Sequence, residues 1–451
     1  MESSNYWSST THANNSNNAW RLSFSDGSVD NNNMNNSNYV RAVRGGKCSL
    51  LSFESVYKAY VDCRKRKRGT VNALMFEYKL LDNLFSLASE LQRGVYRPSR
   101  SVCFVTQSPK LREIFAADFK DRVVHHLVVR ELEKYWERRF IHDSYACRVD
   151  KGIHAAVKRL QNFMLRATRN QKRTAFFMQL DIRSFFTSID KQILFSVLKR
   201  GINSEELLAL LSIIIFHDCT EDYVFKGDRG SLRKIPAHKS LLYSGRDKGV
   251  PIGNLTSQFF ANVYLNELDH FIKHNLRCRF YLRYVDDFIL IDASPDKLLA
   301  WRERINKYLQ AHLALELKEK SVLKRVSEGA DFLGYIVRPG YMLARQRVVN
   351  NLKAKLSAFR EKVIHEFCIK GRKICRLSLR PDLITEIRQM LASYLGHFRH
   401  ANTFNLVNSL LEKHSWLKEL FCLKDGKITE RYAYAGVHCS LMDQIEFYRR
   451  R

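Results

Sequence analysis

The stretch Phe280-Tyr281-Leu282-Arg283-Tyr284-Val285-Asp286-Asp287-Phe288-Ile289-Leu290-Ile291 sets two adjacent carboxylates between two apolar runs. Short runs rich in aromatic and β-branched residues read as strands and the acids between them as a turn, so the segment is a strand, a tight acidic turn and a strand. Carboxylate oxygens presented at the rim of a sheet are ligands for hard divalent cations. A pair of aspartates in a turn is by itself ordinary solvated surface, because Asp suits turns for local hydrogen-bonding reasons. Hydrophobic strands on both sides are more than such a turn requires. The run Thr174-Ala175-Phe176-Phe177-Met178-Gln179-Leu180-Asp181 is a second buried strand that also ends in an acid. If the two lie side by side, three carboxylates converge and can hold two Mg²⁺ ions about 3.5–4 Å apart, the arrangement for in-line phosphoryl displacement.

Outward from these strands, Asn254 or Thr256 can cap a helix whose Phe260, Tyr264, Leu268 and Phe271 share one face. Upstream, Leu80, Leu84, Leu87 and Leu91 recur at helical spacing after the basic run Arg64-Lys65-Arg66-Lys67-Arg68. Residues 101–106 and 111–116 read as short strands and 121–140 as an amphipathic helix. From Val348 onward the chain reads as helices rich in Lys and Arg, among them 353–362 and 383–398. The pattern is α+β: helices first, a small antiparallel sheet in the middle, a helical end.

The whole chain carries 75 Lys plus Arg against 46 Asp plus Glu, a formal net charge of +29. Such an excess repels itself unless a polyanion is the working partner, and nucleic acid is the commonest. At 45% hydrophobic residues the chain can nonetheless bury a large core, which excludes a disordered or collagen-like protein. Residues 1–45 differ from the rest: 11 Asn and 9 Ser accompany Arg21, Arg41 and Arg44 against Glu2, Asp26 and Asp30, so the tail is neutral and the body carries the charge. A polar tract of this kind is expected to be unordered. The ten cysteines show no Cys-x-x-Cys pair and read as reduced core thiols. The longest apolar run, Leu207 to Phe216, is too short to span a bilayer, and Met1 to Trp20 lacks a signal-peptide pattern. A cytoplasmic protein with no membrane partner is expected.

The segments Lys110 to Ile114, Asp181 to Phe186, Gly249 to Gln258 and Tyr284 to Asp287 stand in an order that resembles the motifs of reverse transcriptases, and most of all those of the enzymes of bacterial diversity-generating retroelements. Asp181-Ile182-Arg183-Ser184-Phe185-Phe186 resembles the first palm motif, Gly249-Val250-Pro251-Ile252-Gly253-Asn254-Leu255-Thr256-Ser257-Gln258 the second, and Tyr284 to Asp287 the third. Lys320-Ser321 is similar to the fourth and Phe332-Leu333-Gly334-Tyr335 to the primer grip; Lys110 to Ile114 and Ser144 to Arg148 resemble finger motifs, and Ser393 to Phe398 a thumb helix. The resemblance implies a right-hand polymerase: fingers over 46–175, palm over 176–340 with an inserted fingers segment at about 190–248, and a helical thumb over 341–451.

It also implies site roles. Asp181, Asp286 and Asp287, with the backbone of Ile182, would hold two Mg²⁺ ions, with Mn²⁺ as an alternative. Lys320 would protonate the leaving pyrophosphate, or act electrostatically in its charged stretch. Arg112, Phe186, Ile252, Gly253 and Gln258 would line the dNTP site, with Arg112 as a forked donor to the triphosphate and Phe186 excluding a ribose hydroxyl. Lys110 and Arg148 would meet nucleic acid. Most members carry Gln where this chain has Ile252; an isoleucine cannot hydrogen-bond near the base pair, so looser geometric checking is expected. The insertion His217 to Lys248 likewise resembles the diversity-generating group, as does the Asn-studded tail, which looks like a template repeat read through as protein. A template RNA, its cDNA, dNTPs and a small basic accessory protein are the implied partners. The rival readings are a retron-like or phage-defence reverse transcriptase, and an idle RNA-binding scaffold.

Overall fold

A computed structural model describes residues 5–12, 15–23, 29–33, 50–65, 69–107, 110–369, 372–377, 380–424, 427–430 and 447–450. Its organising element is a four-stranded antiparallel sheet in the order Val322–Arg325, Phe176–Asp181, Asp287–Asp292, Phe280–Tyr284. Both faces are covered, which is why the inner strand Asp-Phe-Ile-Leu-Ile-Asp reads as a continuous apolar run and not as an alternation. Met178, Leu180, Phe288 and Leu290 pack with the helices Leu255–His270 and Pro295–Leu313, while Phe177, Leu282, Ile289 and Ile291 pack with the helix Ile153–Ala167 and with Phe332 and Tyr335.

A second sheet lies upstream. The strands Ser101–Thr106 and Arg112–Ala116 pair antiparallel, and Tyr223–Phe225, from the segment after the helix Glu205–Phe216, adds in parallel to the first. Ser240 of the same segment donates to the buried carboxylate of Glu113 at 2.7 Å, so the insertion is anchored to the strand that begins with Arg112. The helix expected over 121–140 runs Phe119–Trp136, with Asp118 accepting from the Lys120 N–H as its cap. Asn254 stands at the N-cap of Leu255–His270, yet its side chain does not cap; Oδ1 accepts from Ala117 N–H at 3.1 Å and ties this helix to the upstream sheet.

Three expectations are corrected. Within the tail, 5–12, 15–23 and 29–33 form paired antiparallel strands where no order was expected, because backbone pairing needs no apolar composition. The C-terminal region has the helices Gln346–Val363, Pro381–Phe398 and Phe404–Lys413 around Leu356, Ile387, Leu391 and Leu410. An antiparallel hairpin, Ile364–Ile369 with Arg372–Leu377, interrupts them. In Ile-His-Glu-Phe-Cys-Ile the apolar residues stand at 364, 367, 368 and 369, so the segment lacks the alternation that marks a strand, which is why its sequence reads as helix. Among the described cysteines, Cys63, Cys103, Cys219 and Cys278 are buried as expected, but Cys147 is exposed. No described helix is long and apolar enough to cross a membrane.

Candidate active site

The register of the central sheet brings the three acids to one edge. Asp181 is the direct cross-strand partner of Asp287, and Tyr284 pairs with Asp287 across a two-residue loop, Val285-Asp286. Strand alternation puts Gln179 on the same face as Asp181. Its amide nitrogen donates to Asp287 at 3.0 Å (Oδ1) and 3.2 Å (Oδ2). The Lys318 ammonium pairs with Asp181 Oδ2, and the Lys318 N–H donates to the Asp181 carbonyl at 2.9 Å. Asp181 Oδ1 is buried with no hydrogen-bond donor.

These carboxyls are under electrostatic load. Burial raises Asp286 to about 6, helped by the charge of Asp181 and opposed by Lys318 and Arg112. Burial also raises Asp287 to about 7, against the Gln179 hydrogen bond and with Asp181 and Asp286 adding to the rise. An orphaned buried acceptor and two acids crowded above their ordinary range fit a hard cation, which would neutralise both defects with an all-oxygen donor set. As they stand, no three acid, imidazole or thiol groups among the described residues are drawn around one point; Lys318 and Gln179 hold two of the acids that a cation would claim.

A model of the family described as reverse transcriptase (RNA-dependent DNA polymerase) matches residues 106–337, which contain all three acids. The chain belongs to the reverse transcriptase family. Its relatives include protein YkfC of Escherichia coli, 25% identical over an alignment of 319 positions that covers 62% of this chain and 78% of that protein. The group II intron-encoded protein LtrA of Lactococcus lactis is 23% identical, over 83% of this chain and 73% of its own. Among solved structures, apo telomerase from Candida tropicalis aligns with a TM-score of 0.37 at 14% identity, covering 58% of this chain and 60% of that one. By its family this reverse transcriptase is an RNA-directed DNA polymerase with an α+β polymerase fold, and divalent metal ions are the general cofactor of that family.

The other expected site residues distribute unevenly around the acids. Arg112 begins an exposed strand end close enough for its charge to be felt at Asp286, and Lys110 is exposed just before it. Half-buried Phe186 stacks edge-on against Phe185 at 5.3 Å, and its carbonyl accepts from Val250 N–H at 2.8 Å. The Ile252 carbonyl accepts from Phe115 N–H at 3.2 Å. Gly253 has φ +119, and a Cβ there would meet Ile114 Cγ2 at 2.7 Å. The loop from 249 to 253 therefore lies against both Phe186 and the Arg112 strand. Gln258 is exposed, with its Oε1 3.2 Å from the Cys147 thiol. Ile182 is buried directly behind Asp181 and bridges Leu317.

Two placements depart from expectation. Arg148 does not face solvent: its side chain is 7% exposed, donates to Glu137 at 2.8 Å and to the Ile141 and Ser144 carbonyls at 2.8 and 2.9 Å, and so braces its own loop. Lys320 is exposed, and the ammonium beside Asp181 belongs to Lys318. Sequence reading missed Lys318 and Gln179. Gln179 had a signal, since it stands two residues before Asp181 and shares its strand face; Lys318 was one cation among several. The expected grip, Phe332 to Tyr335, is a hairpin turn with φ 51 at Leu333 and 90 at Gly334, and Phe332 and Tyr335 are buried in the core beneath the acids' face.

Proposed function

We propose that this reverse transcriptase synthesises cDNA on a structured RNA template and that its errors concentrate at template adenines, as in the diversity-generating retroelements it resembles. The observation that carries the polymerase reading is the register pairing of Asp181 with Asp287, with Asp286 in the turn between. Asp181, Asp286 and Asp287 would hold two Mg²⁺ ions, which when bound would lower the charge of the triphosphate and of the leaving pyrophosphate. The protein's own groups supply the rest. Arg112 would clamp the triphosphate from the upstream sheet, Phe186 would exclude a 2′-hydroxyl, and the loop with Ile252 and Gly253 would cover the base pair. The hand is divided as fingers 46–175, palm 176–340 with the insertion at about 190–248, and thumb 341–451, working in the cytoplasm with a small basic accessory protein.

Support for the mutagenic role is Ile252, an apolar side chain where an amide would hydrogen-bond, and the insertion anchored at Glu113. A second reading, service to an intron or retron-type element, is favoured by the likeness to a group II intron-encoded protein. Primer extension on a defined RNA tests both levels. Extension dependent on Mg²⁺ and abolished in Asp286→Ala with Asp287→Ala is expected, with substitutions in the cDNA opposite adenine. Errors spread evenly over the four template bases would favour the second reading, and activity surviving the double substitution would remove the site.

A further inference from the structure

The turn that carries Asp286 is held from behind. By strand alternation Arg283, two residues before Val285, projects from the sheet face opposite Asp181 and Asp287; its register partner is Phe288, in the core beneath the helix Leu255–His270. Arg283 and Asp269 of that helix are both fully buried. They form a two-pronged pair, with Nε donating to Oδ1 at 2.8 Å and Nη2 to Oδ2 at 2.6 Å. Tyr281 donates its hydroxyl to the same Oδ1 at 2.6 Å. The remaining guanidinium hydrogens go to Ser144 Oγ at 3.3 Å, to Asn262 Oδ1 at 3.2 Å and to the Val285 carbonyl at 3.0 Å. A guanidinium has five N–H donors, and each of the five has an acceptor here.

An ion pair that only completed the core would end at Asp269. The bond to Val285 goes further, because that carbonyl belongs to the peptide joining Val285 to Asp286. Val285 has φ 56. A two-residue hairpin normally gives this position to Gly, Asn or Asp, and a β-branched residue there is strained, so the turn persists only where its surroundings over-determine it. Asn262 is itself fixed, donating to the Ala146 carbonyl at 2.7 Å.

We propose that Arg283 is a positioning residue of the polymerase: its Nη1 bond to the Val285 carbonyl, braced by Asp269 and Asn262, holds the strained turn so that Asp286 meets the other two acids. This rests on the assignment of Asp286 to the reaction. Lysine at 283 keeps a charge for Asp269 but cannot fork to Val285. Arg283→Lys is therefore expected to lower kcat by about a hundredfold, the scale of a misplaced reacting group. The dNTP KM stays within about threefold, because binding groups are untouched, and more Mg²⁺ is needed for half-activation.

Half of a buried pair is costly to disturb, whereas replacing the whole pair by apolar groups is often neutral. The companion variant is therefore Arg283→Met with Asp269→Leu and Tyr281→Phe. It should unfold thermally near the wild-type midpoint and still show the kcat loss, while Asn262→Ala, which loosens the same Nη1, shows a smaller one. A folded companion with wild-type kcat, losses that follow only the folded fraction, or an unchanged kcat in Asn262→Ala would each overturn the role. Asp286→Ala is the control: if it still extends primers, the polymerase site is what fails, whereas an inactive Asp286→Ala beside fully active Arg283 variants removes the positioning role alone.

Discussion

The pairing of Lys318 with Asp181 puts a cation of the protein where a metal ion would be bound. The two side chains are 42% and 34% exposed, and partly exposed pairs are worth only about 0–1 kcal/mol, so the ammonium competes weakly. Lys318→Ala is expected to lower the Mg²⁺ concentration for half-maximal extension by about two- to threefold, while Lys320→Ala, which removes an exposed side chain that forms no ion pair with a described acid, leaves it unchanged; a Mg²⁺ titration of extension rates checks both. The acids also couple metal to protons. Asp286 and Asp287, raised to about 6 and about 7, hold protons in the metal-free fold that the unfolded chain has released. A raised folded value means stability that is present at low pH and lost as pH rises through the folded value. In EDTA the thermal midpoint should therefore fall from about pH 4 to about pH 7 and level off above that, and Asp287→Asn should flatten the fall. Because metal requires the deprotonated carboxylates, added Mg²⁺ should raise the midpoint more at pH 8 than at pH 6.

At the scale of elements, the hairpin Ala330–Phe332 with Tyr335–Val337 joins the central sheet's core to the C-terminal helices. Tyr335 donates its hydroxyl to the His397 carbonyl at 2.8 Å and stacks on the His397 ring at 4.1 Å. Gly334, at φ +90, would bring a Cβ to 3.1 Å from His397 Cε1. Gly334→Ala should thus cost about 1–2 kcal/mol from backbone conformation alone and more from the displaced ring, whereas Tyr335→Phe keeps the stack and loses about 1 kcal/mol. Both should shorten the cDNA made in one binding event, measured with a competitor trap, and Gly334→Ala the more. The helix at this junction, expected over 383–398 and observed as Pro381–Phe398, was legible from sequence because its apolar spacing is local, whereas the three-residue strands of the hairpin are too short to show a pattern. The acids of Asp181 and Asp286 were legible because each ends or interrupts an apolar run. What escaped were contacts made across long separations, such as Arg283 with Ser144 and Asn262 or Tyr335 with His397, since nothing in the local pattern of either partner announces the other. Arg148 was misjudged for the same reason, its acceptors being loop carbonyls that spacing cannot reveal.

For the whole molecule, the net charge of +29 belongs entirely to residues beyond 45, because the three arginines of the tail are matched by three acids. Template and primer phosphates would displace counterions in proportion to the cations they meet, and log affinity falls linearly with log salt at about 0.7–0.9 per contact. With six or more contacts, binding of an RNA–DNA template-primer should weaken by about 10³ or more between 50 and 200 mM salt. The tail makes this a test of which part of the chain carries the contact. Net neutrality does not by itself keep Arg21, Arg41 and Arg44 off a phosphate, since contacts are local and acids elsewhere do not cancel them. If the basic body alone grips the duplex, removing residues 1–45 leaves both the affinity and its salt slope as in the full chain. If the tail's arginines take part, the slope drops by roughly 0.7–0.9 for each one that had displaced a counterion. Fluorescence anisotropy of a labelled template-primer across a salt series, with full-length and shortened protein side by side, measures the difference. The slope is the decisive readout, because a change in affinity at one salt concentration would not separate lost phosphate contacts from altered folding of the body.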